Sequence, residues 1–373
     1  MHIFNKLLAF FVGGVFVLSG LVKLNDPQGT QIKLEEYFHV FQADQTIGLA
    51  SMSGLWEFLL PYSLSLAVLL STAEVVLGAN LIFSYRQRSS LMALLALIIF
   101  FGMLTFYSAY FNKVTDCGCF GDAIKLTPWQ SFWKDMLLLM MVTFLLIQYS
   151  SPQRALKDQM PKLIGWLSST AVLVASLILA YYAIHYLPPI DFRAYKIGNS
   201  IPEQMKPSEP LRYEYLMEKD GKTHRFTDYP SDTTYVYKDM RLLNPKAQPK
   251  ITDYAIWNNQ GDITQESFKG RKLFIVIADI ETVHLRYISE INELAKQAKK
   301  NKITPMVLTG TDDQSYQAFQ RRVGLKIPYY FADKTVLKTM IRANPGIVLL
   351  DNGVVKGKWH HNRLPSVEVL QKL

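Results

Sequence analysis

The sequence is short of cysteine, and its first half is short of charge. Only two of the 373 residues are Cys. That excludes a disulfide-stapled scaffold and any structural zinc site built from four cysteines. Residues 1–190 hold 11 Lys/Arg and 10 Asp/Glu, against 29 and 21 in residues 191–373. A single soluble core does not account for that split. The charge-poor half calls for a membrane, and the charged half is long enough for a domain of its own. No small-x-small cleavage site follows the first apolar run, so that run is read as a span and not as a removed signal peptide. No internal repeat of the transporter kind and no nucleic-acid module is present. What the chain does have, 49% hydrophobic and 13% aromatic residues, excludes wholesale disorder.

Charge-free apolar runs approaching the roughly 20 residues of a bilayer crossing occur five times. They are Leu7–Val22, Phe58–Ala73 with an apolar continuation past Glu74 to Tyr85, Ser89–Asn112, Met136–Gln153 with a start near Trp129, and Leu163–Ile190. Lys/Arg residues concentrate at Lys6, Arg86, Arg88, Arg154, Lys157 and Lys162. The opposite loops dilute Lys23, Lys33, Lys113, Lys125 and Lys134 over longer stretches. The positive-inside rule then predicts a cytoplasmic N-terminus in the inner membrane and places everything after Ile190 on the periplasmic side. Residues 23–57 contain Ile32, Tyr37, Phe38 and Phe41 among charged neighbours. That spacing fits either an interfacial amphipathic helix or an ordinary packed helix.

Both cysteines belong to one loop, Asp116-Cys117-Gly118-Cys119-Phe120-Gly121-Asp122. Three readings stay open for it. A Cys117–Cys119 disulfide would close a small strained ring of the labile, redox-active kind. A structural staple over three residues would restrict the unfolded chain little. A metal site lacks further ligands nearby, so no metal is expected. Glu74, about 18 Å along the helix from Arg86, is an intramembrane acid. It reads as a proton-handling or quinone-contacting group, or as a protonated carboxyl bonded between helices.

The run Gly13-Gly14-Val15-Phe16-Val17-Leu18-Ser19-Gly20-Leu21-Val22-Lys23-Leu24-Asn25-Asp26-Pro27, followed by Gly29, Thr30, Lys33 and Tyr37, resembles the opening of the DoxX/MauE-like membrane family. Glu74 with Gly78 resembles that family's second helix, and Cys117–Gly121 resembles the cysteine loop of the MauE branch. The resemblance covers about residues 1–150. It implies a bacterial four-helix membrane bundle tied to quinone-linked electron transfer and to disulfide formation or maturation of exported proteins.

In the second half, Tyr213–Met217 and Thr223–Phe226 flank Asp220-Gly221 and read as a hairpin, with Thr233–Tyr237 as a further strand. From Ile251 a strand–helix order sets in: Leu273–Ala278, Ser289–Lys300, Pro305–Thr309, Ser315–Val323 and a hairpin around Asp351-Asn352-Gly353. Phe268–Lys272 and Asn344-Pro345-Gly346 resemble a membrane-tethered thioredoxin-like (TlpA/ResA-like) domain, with Pro345 at the family's cis-proline position. The Cys-x-x-Cys positions read Glu281-Thr282-Val283-His284, so this domain has no dithiol. Glu281 with His284 could form a polar or metal-binding pair, and His360-His361 reads as a surface pair on a strand end.

The expected fold is therefore an α-helical membrane bundle, DoxX-like with a fifth transmembrane helix, carrying a C-terminal α/β thioredoxin-like domain. The expected parts are residues 1–153, 154–190, a tether and small β region over 191–250, and 251–373. The expected function is a quinone-linked thiol–disulfide or electron-transfer component that acts on an exported or envelope protein through Cys117 and Cys119, with Glu74 beside a quinone cofactor. The alternative is a non-catalytic membrane scaffold whose thioredoxin-like domain grips an envelope partner. The bilayer is a partner on either reading.

Overall fold

The computed structural model describes residues 2–114, 118–149 and 160–373. The chain divides into two compact units, Met1–Phe192 and Arg193–Leu373.

The first unit is helical: α1 His2–Asn25, α2 Pro27–Ala43, α3 Ser53–Leu59, α4 Ser63–Ile82, α5 Gln87–Phe111, α6 Pro128–Tyr149 and α7 Lys162–His185. Five segments are long and apolar enough to cross a membrane: Ile3–Asn25, Leu49–Ile82, Gln87–Phe111, Pro128–Tyr149 and Lys162–His185. The end of the expected fourth span, at Gln153, lies outside the described residues. Helices α1, α4, α5 and α6 share an apolar core of Val12, Phe16, Leu81, Leu91, Leu94, Ile98, Leu138, Val142 and Leu145. Helix α7 packs beside it through Ala180, against Leu24 and Val75. Asn25 bonds both the carbonyl of Ile190 (2.8 Å) and its N–H (3.0 Å), tying the segment after α7 to the end of α1.

In lipid there is little hydrophobic drive between helices, so close association depends on small residues and polar contacts. The α1–α4 pair has both. A Cβ on Gly13 would stand 2.6 Å from the Gly78 carbonyl oxygen, and one on Gly20 would stand 2.7 Å from that of Ser71. Because Gly13 meets Gly78 while Gly20 meets Ser71, the two helices run antiparallel with their backbones almost touching.

Helix α2 settles the choice left open for residues 23–57. Asp26 caps it by accepting from the Gly29 N–H, Pro27 opens it, and Leu34, Tyr37, Phe38 and Phe41 are buried. Its apolar side packs on α5 and α4, with Tyr37 and Phe41 against Tyr107 and Leu34 and Phe38 against Ala67. It is a packed helix.

The second unit opens with a three-stranded sheet in the order β2–β1–β3, from β1 Tyr213–Lys219, β2 Lys222–Phe226 and β3 Val236–Leu242. Asp220 and Gly221 take positive φ in the turn, as a two-residue hairpin of this kind requires. The third strand lies further along than Thr233–Tyr237 predicts. The remainder holds β4 Trp257–Asn258, β5 Gly261–Asp262, β6 Arg271–Ile277, β7 Thr304–Thr309, β8 Tyr329–Phe331, β9 Gly346–Asp351 and β10 Val354–His360. They form one seven-stranded mixed sheet, ordered β10–β9–β6–β7–β8–β4–β5. Strands β6, β7 and β8 are parallel, β9 runs against β6, and the edge strand β10 runs against β9. Every residue of Leu273–Ile277 is fully buried, so the sheet is covered on both faces. Among the helices of this unit, α8 Ile201–Gln204, α9 Thr264–Ser267, α10 Ile288–Lys300, α11 Asp313–Val323, α12 Lys334–Met340 and α13 Val367–Lys372, the amphipathic α10 and α11 pack Ile291, Leu294, Tyr316 and Phe319 onto one face of the sheet.

One expected linker is not a linker throughout. Gly198 and Ile201 donate to Val355 and Gly353, and Val355 donates back to Asn199. Ile201 is fully buried. Residues 198–201, expected within the tether, instead bond to the turn and first residues of the β9–β10 hairpin and belong to the folded unit.

Adjacent glycines provide a matched test of the helix contact. Gly13→Ala should cost about 1–3 kcal/mol by overpacking, whereas Gly14→Ala, whose Cβ meets nothing within 4 Å, should leave thermal unfolding in detergent unchanged.

Candidate functional site

The close α1–α4 contact brings Lys23, in the last turn of α1, to Glu74 in the middle of α4. Lys23 Nζ donates to Glu74 Oε1 at 2.5 Å, and the two side chains are only 6% and 1% exposed. The ammonium also lies 4.3 Å from the centre of the Phe101 ring on α5, a cation–π contact. Glu74 Oε2 is buried and has no hydrogen-bond partner among the described residues. Glu74 was expected as an acid that handles protons, contacts a quinone or bonds between helices; its carboxylate oxygen meets Lys23 across the α1–α4 contact. Lys23 was expected just beyond the first span, among the charges of the outer loop. The helix instead continues to Asn25, which carries Lys23 inside.

The cysteine loop folds onto this pair. Cys117 lies outside the described residues, as does its neighbour Asp116. Cys119 is 7% exposed, and its carbonyl accepts from Ser19 Oγ at 3.0 Å. Ser19 and Lys23 stand four residues apart on α1, on one face. Gly118 and Gly121 both take positive φ, and the Gly121 N–H closes the turn on the Gly118 carbonyl at 3.0 Å. A Cβ on Gly118 would meet the Lys33 stem of α2 at 3.1 Å. Lys23, Lys33, Tyr37, Phe101, Thr105 and Cys119 line a cavity of about 30 Å³. That holds one or two waters at most. It is about a tenth of the smallest ordinary small-molecule pocket, so it does not fit a quinone ring. The structure thus brings Lys23, the partner of Glu74, to the cavity that Cys119 also lines.

Two further buried acids brace the loop. Asp135 on α6 accepts from Thr105 at 3.0 Å and pairs with Lys134 at 2.9 Å, and Lys134 in turn lies over the Phe120 ring. Asp44, after α2, is fully buried and accepts from the Thr46 N–H, Tyr107 Oη and Lys113 Nζ at 2.8, 2.8 and 3.1 Å. Sequence reasoning passed over Lys23, Ser19, Asp135 and Asp44 because each lies at a helix end or in a connecting segment, where charge is ordinary. The usable signal was the Ser19/Lys23 spacing at the end of a run free of charge from Leu7 to Val22.

In the second unit, Glu281 and His284 are exposed and form no pair with each other. The His284 N–H donates to the Asn344 carbonyl, and Asn344 Nδ2 donates to Thr282 Oγ1 and to the Asp279 carbonyl. The Asn344–Pro345 peptide is cis. The His360-His361 reading needs correction. Both are about 4% exposed, because β10 turns inward into a short helical turn. His361 bonds the Pro345 carbonyl at 3.0 Å, and its ring centre lies 4.5 Å from that of His284 with the planes tilted by 32°. Among the described residues no group of three or more His, Cys, Asp or Glu is placed to hold a metal.

The Thr46 N–H, together with Tyr107 and Lys113, holds the Asp44 carboxyl well below the usual carboxylate range against the opposing cost of burial. A depressed folded pKa contributes stability above the ordinary carboxylate pKa and loses it as pH falls through the folded value. Asp44→Asn should therefore lower the melting temperature near pH ~7, and the gap to wild type should narrow as the pH drops below ~4. A pH series of melting curves checks this.

A family model described as methylamine utilisation protein MauE matches residues 1–148. No curated protein matches the chain. The protein is thus a multi-pass membrane protein whose residues 1–148 are similar to the MauE family.

Proposed function

We propose that the protein is a membrane thiol–disulfide component in which Cys117 and Cys119 exchange a disulfide with an exported protein. The observation that carries this reading is the placement of Cys119, buried against α1 and sharing a cavity with a lysine that is ion-paired inside the bundle. A structural staple would not need an embedded cation beside it. A buried cation favours the thiolate, the form that attacks a disulfide. In the exchange, a client dithiol gives two electrons and two protons to the Cys117–Cys119 disulfide. The client leaves oxidised and the pair is left as two thiols. Regeneration requires a two-electron acceptor. A quinone is the class expected from the family resemblance, but the cavity at Cys119 does not fit one, and no step is routed through it.

The orientation belongs to the same proposal. Lys23, Lys113 and Lys134, counted with the outer loops, pair with Glu74, Asp44 and Asp135. Removing them from the count sharpens the asymmetry that puts the N-terminus in the cytoplasm and the cysteine loop and C-terminal unit in the periplasm.

The C-terminal unit reads as a thioredoxin-like docking module. Support comes from the parallel β6–β7–β8 core with antiparallel β9 and β10, the helices α10 and α11, and the cis-proline before β9. Its Cys-x-x-Cys equivalent carries no sulfur, and the Asn344 carbonyl is engaged by His284. That observation favours a second reading, in which the whole chain is a non-catalytic scaffold gripping an envelope partner.

Acid quenching of intact membranes followed by alkylation with a mass-tagged maleimide separates the two. After a pulse of reductant is washed out, the wild-type pair should return to the oxidised form, and Cys117→Ser should abolish the shift. A pair that stays in one state under reductant, oxidant and growth would contradict the redox reading and leave the scaffold.

A further inference from the structure

The geometry points to Lys23 as the shared counter-ion of two acids, the Glu74 carboxyl and the Cys119 thiol, so that a thiolate forms at Cys119 only as Glu74 takes up a proton. This deepens the disulfide-exchange reading and rests on it.

The argument is one of charge balance in a buried place. Lys23 and Glu74 are both more than nine-tenths buried and together carry no net charge. Ionising Cys119 in the same pocket without compensation would leave one negative charge in excess, which a low-dielectric interior strongly opposes. A compensating move is built in. Lys23 Nζ already donates to Glu74 Oε1 at 2.5 Å and also lines the water-sized cavity with Cys119. The proton on Lys23 passes to Glu74 along that hydrogen bond, and Lys23 recovers a proton from the Cys119 thiol across the cavity. Before the transfer the pocket holds an ammonium, a carboxylate and a thiol. Afterwards it holds an ammonium, a carboxyl and a thiolate. Protons and charge are conserved, and Lys23 ends where it began.

Glu74 is suited to the acceptor role because its second oxygen is buried and unpartnered. A proton placed on that oxygen displaces no hydrogen bond among the described residues. Ser19, one turn before Lys23, fixes the Cys119 backbone to the same helix.

The other charged groups facing the loop are compensated locally. On α2, Lys33 pairs with Glu36 at 2.9 Å, and Tyr37 bonds Ser108 at 2.6 Å. On α6, Lys134 pairs with Asp135, which also holds Thr105 of α5. Asp122 closes the loop itself and opposes the thiolate. Lys23 is the cation whose partner can be neutralised by the event it assists. It is a positioning residue, since it acts on the sulfur through charge and a relayed proton.

The test uses full-length protein in detergent with Cys117→Ser, so that Cys119 is the only thiol, and measures its iodoacetamide alkylation rate against pH. Lys23→Met should raise the pH midpoint and slow alkylation near neutral pH at least tenfold, while Lys23→Arg should stay near the parent. Glu74→Gln should lower the midpoint, because Lys23 then has no other anion. Midpoints that coincide in all variants, or that shift in the same direction for Lys23→Met and Glu74→Gln, would overturn the inference. If Lys23→Met does not fold, Lys23→Gln/Glu74→Gln replaces it. Its midpoint should lie above that of Glu74→Gln alone, and equality would overturn the inference. The assay contains no redox partner. Its failure therefore leaves disulfide exchange standing, and a pair that never changes redox state would leave the pH midpoints untouched.

Discussion

The ion pair between Lys23 and Glu74 is the constraint on which the membrane unit is organised. Two charges removed from water inside an apolar bundle are tolerated only as a close pair. Forming that pair requires the last turn of α1 and the middle of α4 to approach within hydrogen-bond reach. The glycines make this possible: Gly13, Gly20 and Gly78 let the backbones approach to distances that a methyl group would block. Once α1 and α4 are locked, Ser19 presents its hydroxyl to the cysteine loop and Phe101 of α5 covers the ammonium. A membrane-embedded lysine beside a buried cysteine follows from helix packing and needs no loop rearrangement.

A second layer holds the loop from its other sides. Asp44 draws Lys113 and Tyr107 together at one end of α5, and Asp135 draws in Thr105 and Lys134. Each acid is buried and each is answered by a cation and a hydroxyl. The cysteine segment is thus bordered by compensated charge. The cavity between them stays small enough for water and closed to a larger ligand.

Much of the fold was legible in the sequence, because its elements carry periodicity or length. Five apolar runs gave five helices, and the Asp220-Gly221 turn and the strands β6, β7, β9 and β10 appeared within a few residues of where the pattern puts them. The short strands β4, β5 and β8 did not, since two or three residues carry no period and their pairing is decided by distant neighbours. Glu74 stood out as an acid in an apolar run, whereas its partner Lys23 did not. A lysine near a helix end looks like an interfacial charge unless the length of the helix is known. His360 and His361 were misread for a similar reason. Strand alternation says which face a residue takes, but whether that face is covered depends on the fold of the whole unit.

The account stands on the coupling between Lys23 and Glu74, and a double-mutant cycle in detergent measures it directly. Lys23→Met and Glu74→Met should each lose about 3–5 kcal/mol of unfolding free energy, because each strands a buried charge. The double variant, which strands none, should be more stable than either single variant. Additive losses would show that the two residues do not depend on each other and would contradict the account.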